Sequence, residues 1–504
     1  MIKTKRSIMN LTLNILMVIV NLAIALLVTR EVIGFYGSDF NGVTNTIGQV
    51  IMALLIIEAG FGVSATVALY RPIVESEQEQ IEIILSTIKK VFRKIGIFFF
   101  LTSLIVVFLF PLLINSGLGY FNIMLIFFMT IFPIALRLFL SSKYLCYFEA
   151  RQQEYYIILY NLIFTCITAI VSFIMIFLRT DFLAFKFAVM AVNIVNGLGI
   201  IVLFRILFGK MNLNRTPDYS LIKGTRDLLI SKVVSVIHLS APVIFMAVFI
   251  SSYMASIYSV YMLVITNLKN VANAIITGPR NAIGQTIIDD DQEKLYNIFK
   301  RYNYIVIVLT TILYTIAAIT IMSFIRIYTQ NFSDAENYII PAFAILGIII
   351  AMIEAIHVPS GNIILLSGRF KVRRNIQIIA AITMLVLISL GTVVLAEIGI
   401  LLGILIANLL MAHIEIIYTF RKYFNKNLFW FLKLISIQLL TCLALIFIGL
   451  QYVPEINNFI NFFIVAAISA IVVVSCFAII NFIFFSKEVK EIINMLLRVF
   501  KLKN

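Results

Sequence analysis

The chain has 504 residues, of which 62% are hydrophobic and only 12% are charged, and its formal net charge is +15. Charged residues make up about a quarter of a typical soluble domain, so this composition excludes a soluble globular protein and indicates a chain whose main solvent is lipid. The positive charge is more typical of the cytoplasmic Lys and Arg excess of membrane proteins than of nucleic-acid binding.

The sequence contains fourteen apolar runs of the roughly 20 residues that a membrane span requires. The first run has a basic start, but it is too long for a signal peptide and lacks a cleavage site, so we interpret it as an uncleaved span. The predicted spans are residues 8–30, 41–69, 95–115, 120–143, 156–178, 182–208, 227–250, 253–287, 303–325, 338–366, 375–395, 398–420, 430–450 and 458–485.

Lys and Arg residues are concentrated in alternate connections between these spans. With the N-terminus inside the cell, the inner segments hold 32 of the 39 Lys and Arg residues, and the outer connections hold few beyond Arg30, Arg179 and Arg326. The positive-inside rule therefore predicts that both termini are cytoplasmic.

Two inner loops have similar sequences, which indicates an internal repeat. "EQEQIEIILSTIKKVFRK" follows span 2 and "DDDQEKLYNIFKRYNY" follows span 8, and a shift of 211 aligns Ile84 with Leu295 and Ile88 with Phe299. The apolar spacing of the first loop predicts a helix in the membrane interface. The repeat predicts an N-terminal lobe at 1–208, a cytoplasmic linker at 209–226, a C-terminal lobe at 227–420, and two further helices with a tail at 421–504.

Polar side chains follow one face of spans 1, 2, 7 and 8, the first two helices of each predicted lobe. Such stripes either join helices by hydrogen bonds or line a water-filled cavity. If the stripes served only to join helices, they would be scattered over all the spans. Their concentration in these four spans therefore favours a cavity, and the candidate substrate-binding residues in it are Asn45, His238, Asn270 and Asn273. The stripes comprise Ser7, Asn10, Asn14, Asn21, Asn41, Thr44, Asn45, Gln49, Ser231, Ser235, His238, Thr266, Asn270, Asn273 and Thr277.

Ionisable residues also occur at membrane depth, where each costs a few kcal/mol and usually faces a partner or water. The cations are Arg137, Lys232 and Lys269, and the acids are Glu58 and Glu354. These residues strengthen the prediction of a cavity. Pairing of each acid with one of the cations is the alternative.

The sequence gives no sign of a catalytic or metal centre. The four cysteines lie in apolar runs without a CxxC spacing, the three histidines form no HExxH pattern, and no GxxxxGK[ST] nucleotide-binding motif occurs. All loops are short, which leaves no room for a soluble domain or a large external catalytic loop. We expect a protein that is not an enzyme, with no cofactor and no nucleic-acid partner.

Several segments resemble one known family. "TREVIGFYGSDFNGV" (29–43) combines an Arg, a glycine–aromatic turn and a second glycine at the junction of spans 1 and 2. Together with residues 57–96, 284–305 and 397–410, it resembles the Wzx-type polysaccharide flippases of the MOP superfamily, which also contains the MATE drug exporters. The likeness is spread along most of the chain, and no single motif carries it.

The resemblance implies an all-α polytopic membrane protein with two pseudosymmetric six-helix lobes around a central cavity, plus two C-terminal helices. It implies that an undecaprenyl-pyrophosphate-linked oligosaccharide moves from the inner to the outer leaflet of the bacterial cytoplasmic membrane by alternating access, for a capsule-like or O-antigen-like polysaccharide. For such a substrate, the cations expected to hold the pyrophosphate are Arg137, Lys232 and Lys269, and the acids expected to couple transport to an ion gradient are Glu58 and Glu354. Arg30 matches a cation at the outer end of helix 1, where it would gate the cavity or meet the phosphates. An interfacial Arg paired with Glu31 is the alternative.

Three rival functions stay open at this point. A lipid II flippase shares the fourteen-span count, a MATE-type exporter favours twelve spans and acidic cavities, and a glycan polymerase or ligase is disfavoured by the short outer loops. The expected partners are the lipid-linked oligosaccharide and membrane lipids, and the function would also allow a glycan polymerase or glycosyltransferase as a protein partner. We expect the chain to function as a monomer.

Overall fold

A computed structural model describes residues 2–221, 226–288, 291–452, 454 and 456–501, and among these residues it contains helices and no strand. The predicted all-α polytopic fold is therefore confirmed. The α-helices are α1 Ile2–Tyr36, α2 Ser38–Leu54, α3 Ile56–Glu75, α4 Gln78–Leu113, α5 Tyr120–Leu140, α6 Ser142–Ala150, α7 Glu154–Phe177, α8 Phe182–Phe208, α9 Arg226–Phe245, α10 Ser252–Ile288, α11 Gln292–Thr329, α12 Pro341–Leu366, α13 Phe370–Ile417, α14 Phe429–Tyr452, α15 Phe459–Phe484 and α16 Ser486–Lys501.

Twelve helical segments of the described chain are long and apolar enough to cross a membrane. The difference from fourteen spans has two local causes. Predicted span 2 is interrupted at Leu55, which separates α2 from α3. Predicted spans 11 and 12 share the single long helix α13, which is broken by non-helical backbone angles at Leu395 and Ala396.

The break in α13 reverses the direction of the chain. Ala396 has φ 49°, in the left-handed region, and the glycines on either side of the break, Gly391 and Gly399, lie against each other. A Cβ on Gly391 would lie 2.6 Å from the Gly399 carbonyl oxygen, so neither position has room for a side chain. The two halves of α13 therefore form a helical hairpin that depends on small residues, as is common in membrane helix packing.

Residues 1–259 and 260–504 form two separate compact units. In the first unit, α4 packs on α5, α5 on α8, α1 and α8 on α7, and α9 on α2 and α3. In the second unit, α11 packs on α12, α14 and α15, while α12 packs on α13. The lobe boundaries predicted from the repeat remain a prediction.

The repeated loop segments begin two long continuous helices, α4 with 36 residues and α11 with 38. The expectation of an interfacial helix is wrong for the apolar face of the first segment, because Ile81, Ile84 and Ile88 are buried inside the protein. At the aligned position in α11, Phe299 is also buried and packs on Phe420 with ring centroids 5.4 Å apart. Apolar spacing alone does not distinguish lipid from protein as the covering material.

The predicted orientation can be tested by cysteine labelling. Cysteines introduced at Ser116 and Asp334 should react with a membrane-impermeant maleimide added to intact cells, because both positions lie in predicted outer connections. Cysteines at Lys90 and Lys371, both exposed positions in predicted inner segments, should react only after permeabilisation. The native cysteines are free and at least partly buried, so a cysteine-free background serves as the control. Outside labelling at Lys90 or Lys371 would contradict the topology.

Candidate functional site

A cleft between α5 and α8 in the first unit collects polar and cationic groups within predicted spans. Its volume is about 230 Å³. Arg137 lies in the last turn of α5, and Lys186 lies near the start of α8, where Asp181 caps the helix by accepting a hydrogen bond from the Ala184 amide at 2.8 Å. The remaining polar lining residues are Thr130, Asn193 and Asn196.

The helix period explains why these side chains meet. Asn193 and Asn196 follow Lys186 by seven and ten residues, so all three project from one face of α8. The backbones of α5 and α8 approach closely at Gly197, where a Cβ would lie 3.8 Å from the Arg137 Cβ. A cation-bearing end of α5 therefore lies beside an amide-bearing face of α8.

Lys186 is the most unusual residue of this cleft. Its side chain is buried, its Nζ lies 5.5 Å from the centre of the Phe40 ring, and it forms no ion pair with any carboxylate of the described chain. Burial of an ammonium group without a counterion is costly, and a cation–π contact offsets only part of that cost. The positive charge in the cleft therefore favours the binding of an anion.

Sequence reasoning missed Lys186. The signal was present, because Lys186 is one of only seven Lys and Arg residues outside the predicted inner segments. Its position near a span end made it resemble an ordinary boundary residue. Only the packing shows that its side chain is buried rather than extended toward the membrane surface.

Arg137 also influences the nearest predicted coupling residue, Glu58 on α3. The Arg137 guanidinium acts electrostatically on the half-buried Glu58 carboxylate, although no salt bridge within 4 Å joins them. The structure thus brings a predicted substrate-binding cation and a predicted coupling acid into the same part of the first unit.

The polar stripe of α2 partly serves to join helices. Asn41 donates a hydrogen bond to the Ser256 hydroxyl at 2.7 Å, and Ser240 on α9 donates to Gln49 at 3.0 Å. Gly42 lies directly against the backbone of Ser252, which leaves no space for a Cβ. At these positions the stripe is helix–helix contact rather than cavity lining.

Other predicted residues of the first unit are more accessible. Arg30 on α1, Asn45 on α2 and His238 on α9 are half-buried, and Lys232 on α9 is exposed. The side chains of Ser7 and Ser231 lie outside the described residues.

In the second unit, the predicted cation and acid form a salt bridge. Lys269 Nζ on α10 lies 2.8 Å from Glu354 Oε2 on α12, and Asn408 on α13 donates to Glu354 Oε1 at 3.1 Å. The Lys269 side chain is 28% exposed, and the Glu354 side chain is 31% exposed. Asn270 and Asn273 are exposed on α10.

Removing one partner of this pair should lower protein levels. Lys269→Gln leaves the Glu354 charge unpaired at membrane depth, and a charged side chain there costs about 2.5–3.5 kcal/mol on insertion scales. The double variant Lys269→Gln/Glu354→Gln should recover normal levels, measured by immunoblotting of membranes. If the single and double variants have equal levels, the pair has no structural role. Loss of transport in a well-expressed double variant would show that Lys269 or Glu354 also acts in transport.

A second charged cluster in this unit was not predicted. Glu415 on α13 is fully buried, with His357 Nδ1 of α12 2.8 Å from its Oε2 and an Arg373 nitrogen 3.6 Å from its Oε1. Gly361 lies directly beside the cluster, and a Cβ there would displace the end of the Arg373 side chain. The acid lies near the end of predicted span 12, where a charge is unremarkable in sequence, so only the fold shows that it is enclosed.

The fold is similar to that of solved membrane transporters. A structure of the lipid II flippase MurJ in an inward closed conformation matches with a TM-score of 0.65 at 13% identity, covering 94% of this chain and 100% of that chain. An inward-facing multidrug resistance MATE family transporter of the MOP superfamily matches with a TM-score of 0.63 at 13% identity, covering 81% of this chain and 98% of that chain. A MATE structure in a bent conformation matches with a TM-score of 0.52 at 14% identity, covering 81% and 93%.

No protein-family model matches the sequence, and no curated protein matches it. At these identities the structural matches show a shared fold without showing a shared substrate. The described helices and these matches together show that the chain shares the fold of these solved transporters.

Proposed function

We propose that this protein is a flippase that moves an undecaprenyl-pyrophosphate-linked oligosaccharide from the inner to the outer leaflet of the bacterial cytoplasmic membrane by alternating access, for surface polysaccharide synthesis. The observation that carries the proposal is the Arg137–Lys186 cleft, in which a buried cation has no acidic partner within the described chain. A diphosphate is a concentrated negative charge whose passage through a low-dielectric region requires cations along the path.

The side chains around the two cations suit the rest of such a substrate. Asn193 and Asn196 can exchange hydrogen bonds with sugar hydroxyls, and Arg137 can bind phosphate oxygens through two donors at once. We propose further substrate contacts at the accessible positions on α1, α2, α9 and α10 that the sequence singled out. These are Arg30, Asn45, Lys232, His238, Lys269, Asn270 and Asn273.

A lipid II flippase is the second candidate. Its specific support is the extent of the match, because the lipid II flippase structure covers 94% of this chain, whereas the MATE structures with TM-scores above 0.5 cover 81%. Both flippase candidates carry a lipid diphosphate, so the cationic cleft does not discriminate between them. A cation exporter fits the cleft poorly, because two positive groups would repel its substrate.

The test is translocation by the purified full chain in proteoliposomes. Fluorescent undecaprenyl-pyrophosphate oligosaccharide, lipid II and a cationic dye would each be supplied, and access of a membrane-impermeant quencher would report transbilayer movement. Faster movement of the oligosaccharide lipid than of lipid II supports the first candidate, and the reverse order supports the second. Transport of the dye alone would refute both.

We propose that transport is coupled to an ion gradient or membrane potential through Glu58 and Glu354. One elementary charge moving across 100 mV is worth about 2.3 kcal/mol, which is enough to bias a conformational cycle. In the same proteoliposomes, an imposed potential or proton gradient should accelerate movement, and Glu58→Gln should weaken that dependence more than it slows the uncoupled rate. Equal rates with and without every imposed gradient would overturn the coupling.

A further inference from the structure

A second cavity of about 270 Å³ lies at the end of α8 that is predicted to face the cytoplasm. We call it the linker cavity, because its walls are Lys89 on α4, Tyr144 on α6, Phe204 and Arg205 on α8, and linker residues 209–214. Lys210 is its third lining cation, and none of its lining residues is acidic. A fourth cation, Lys143, lies beside it, with Nζ 4.5 Å from the centre of the Tyr144 ring.

The linker is held in place by contacts with α4. Lys89 donates to the Leu213 carbonyl at 3.3 Å and to Asn214 at 3.1 Å, and the Asn212 amide donates to Glu82 at 3.0 Å. Glu82 also pairs with Arg215 at 3.2 Å. The nearby acid is therefore occupied by linker groups and does not neutralise the cavity.

The cations are brought together by packing rather than by ion pairs. The Tyr144 ring packs on Phe204 with centroids 4.2 Å apart, which places α6 beside the end of α8. Arg205 and Lys210 form no ion pair within the described chain. Arg205 and Lys210 are exposed, and Lys89 is half-buried. Like charges held close together repel one another, so this cluster of cations favours an anion.

The protonation of Lys143 reflects the same positive field. Lys143 is buried, and its ammonium donates to the Leu140 carbonyl oxygen. Burial, together with the charges of Lys89 on α4 and Arg205 on α8, lowers the pKa of Lys143 to about 8. An anion bound nearby would reverse part of this effect and favour the charged ammonium.

We propose that the linker cavity binds a phosphoryl group, supplied either by the headgroup of an anionic lipid or by a soluble phosphate compound, and that the bound group fastens the linker to α4 and α8. Arg205 offers paired donors to phosphate oxygens, and Lys89 and Lys210 offer point charges. Basic pockets between helices on the cytoplasmic side suit anionic headgroups in particular. This site is independent of the proposed transport substrate.

The test uses the full chain in nanodiscs, with thermal unfolding and native mass spectrometry as readouts. One arm compares phosphatidylcholine discs with discs that also contain phosphatidylglycerol, and the other adds inorganic phosphate to phosphatidylcholine discs. Stabilisation with retained lipid identifies a headgroup, and stabilisation by phosphate identifies a soluble ligand. If neither addition stabilises the wild type, the proposal is overturned.

Matched variants test whether the anion binds in the linker cavity. Arg205→Gln/Lys210→Gln should weaken the apparent affinity at least tenfold, because two charge-assisted hydrogen bonds are lost. Lys90→Gln/Arg93→Gln removes the same charge from exposed positions on α4 outside the cavity and should leave the affinity unchanged. If both double variants weaken the affinity equally, the anion responds only to general surface charge. The linker cavity would then be excluded as the binding site.

The pH dependence gives a readout that a purely structural role would not move. Lys143 is mostly charged below a pKa of about 8, so wild-type affinity should fall as the pH rises from 7 to 9. Tyr144, whose pKa burial raises, stays neutral over that range. Lys143→Arg should remove the decline, because an Arg stays charged. An affinity that is constant from pH 7 to 9 in the wild type would contradict a role for Lys143.

Discussion

Replacing Lys186 with Gln should lower the affinity for a diphosphate-linked substrate by about ten- to a hundredfold, the loss expected for one hydrogen bond to a charged group worth about 1.5–3 kcal/mol. The Arg137→Gln/Lys186→Gln double variant should transport at background level. The physical reason is that both cations of the α5–α8 cleft would be gone, and no acid lines the cleft. The variant breaks no salt bridge, although Glu58 on α3 loses the electrostatic influence of Arg137. Quencher access in proteoliposomes measures the effect.

The stability of the same variants separates this role from a structural one. A buried ammonium without a counterion costs free energy in the empty protein, so Lys186→Gln should unfold at a higher temperature than the wild type. Loss of transport combined with gained stability is the pattern expected of a functional site. Lys371→Gln, at an exposed position on α13, should change neither property. Normal transport by Lys186→Gln would contradict the proposed anion-binding role of the cleft.

Replacing Glu415 with Gln should destabilise the second unit by about 3–5 kcal/mol, the usual cost of breaking a buried ion pair. The change leaves the Arg373 guanidinium, whose side chain is only 17% exposed, without its carboxylate, and it weakens the contact with His357. Thermal unfolding in detergent should show a clear fall in the midpoint, and membrane levels should fall with it.

Two further variants test whether the broken ion pair causes this loss of stability. Arg373→Gln/Glu415→Gln removes the unpaired charge and should recover part of the lost stability, because the two groups interact. Glu75→Gln removes one partner of the exposed Arg71–Glu75 pair within α3, and should produce no measurable change because solvent screens such pairs. An unfolding midpoint of Glu415→Gln equal to that of the wild type would show that the cluster adds nothing to stability.

The limits of sequence reasoning are clearest where charges lie far apart in the chain. Lys269 and Glu354 were both identified as membrane-depth ions, and pairing was an open alternative, but the sequence did not indicate which cation would meet which acid. Glu58 lies near Arg137 without a salt bridge, whereas Glu354 contacts Lys269 directly. Pairing depends on which helix faces meet, and that is a property of packing rather than of any one segment.

The sequence by itself determined the helical membrane class and predicted its orientation, because a backbone in lipid must satisfy its hydrogen bonds within each segment and each span must be apolar over its own length. These are local requirements, so they can be read one segment at a time. Only the tertiary structure decided that the apolar face at the start of α4 is covered by protein, that α13 folds back at Ala396, and that Lys186 and Glu415 are buried. Each of these depends on a neighbour that the segment does not encode, since burial and charge pairing are fixed by contacts between helices.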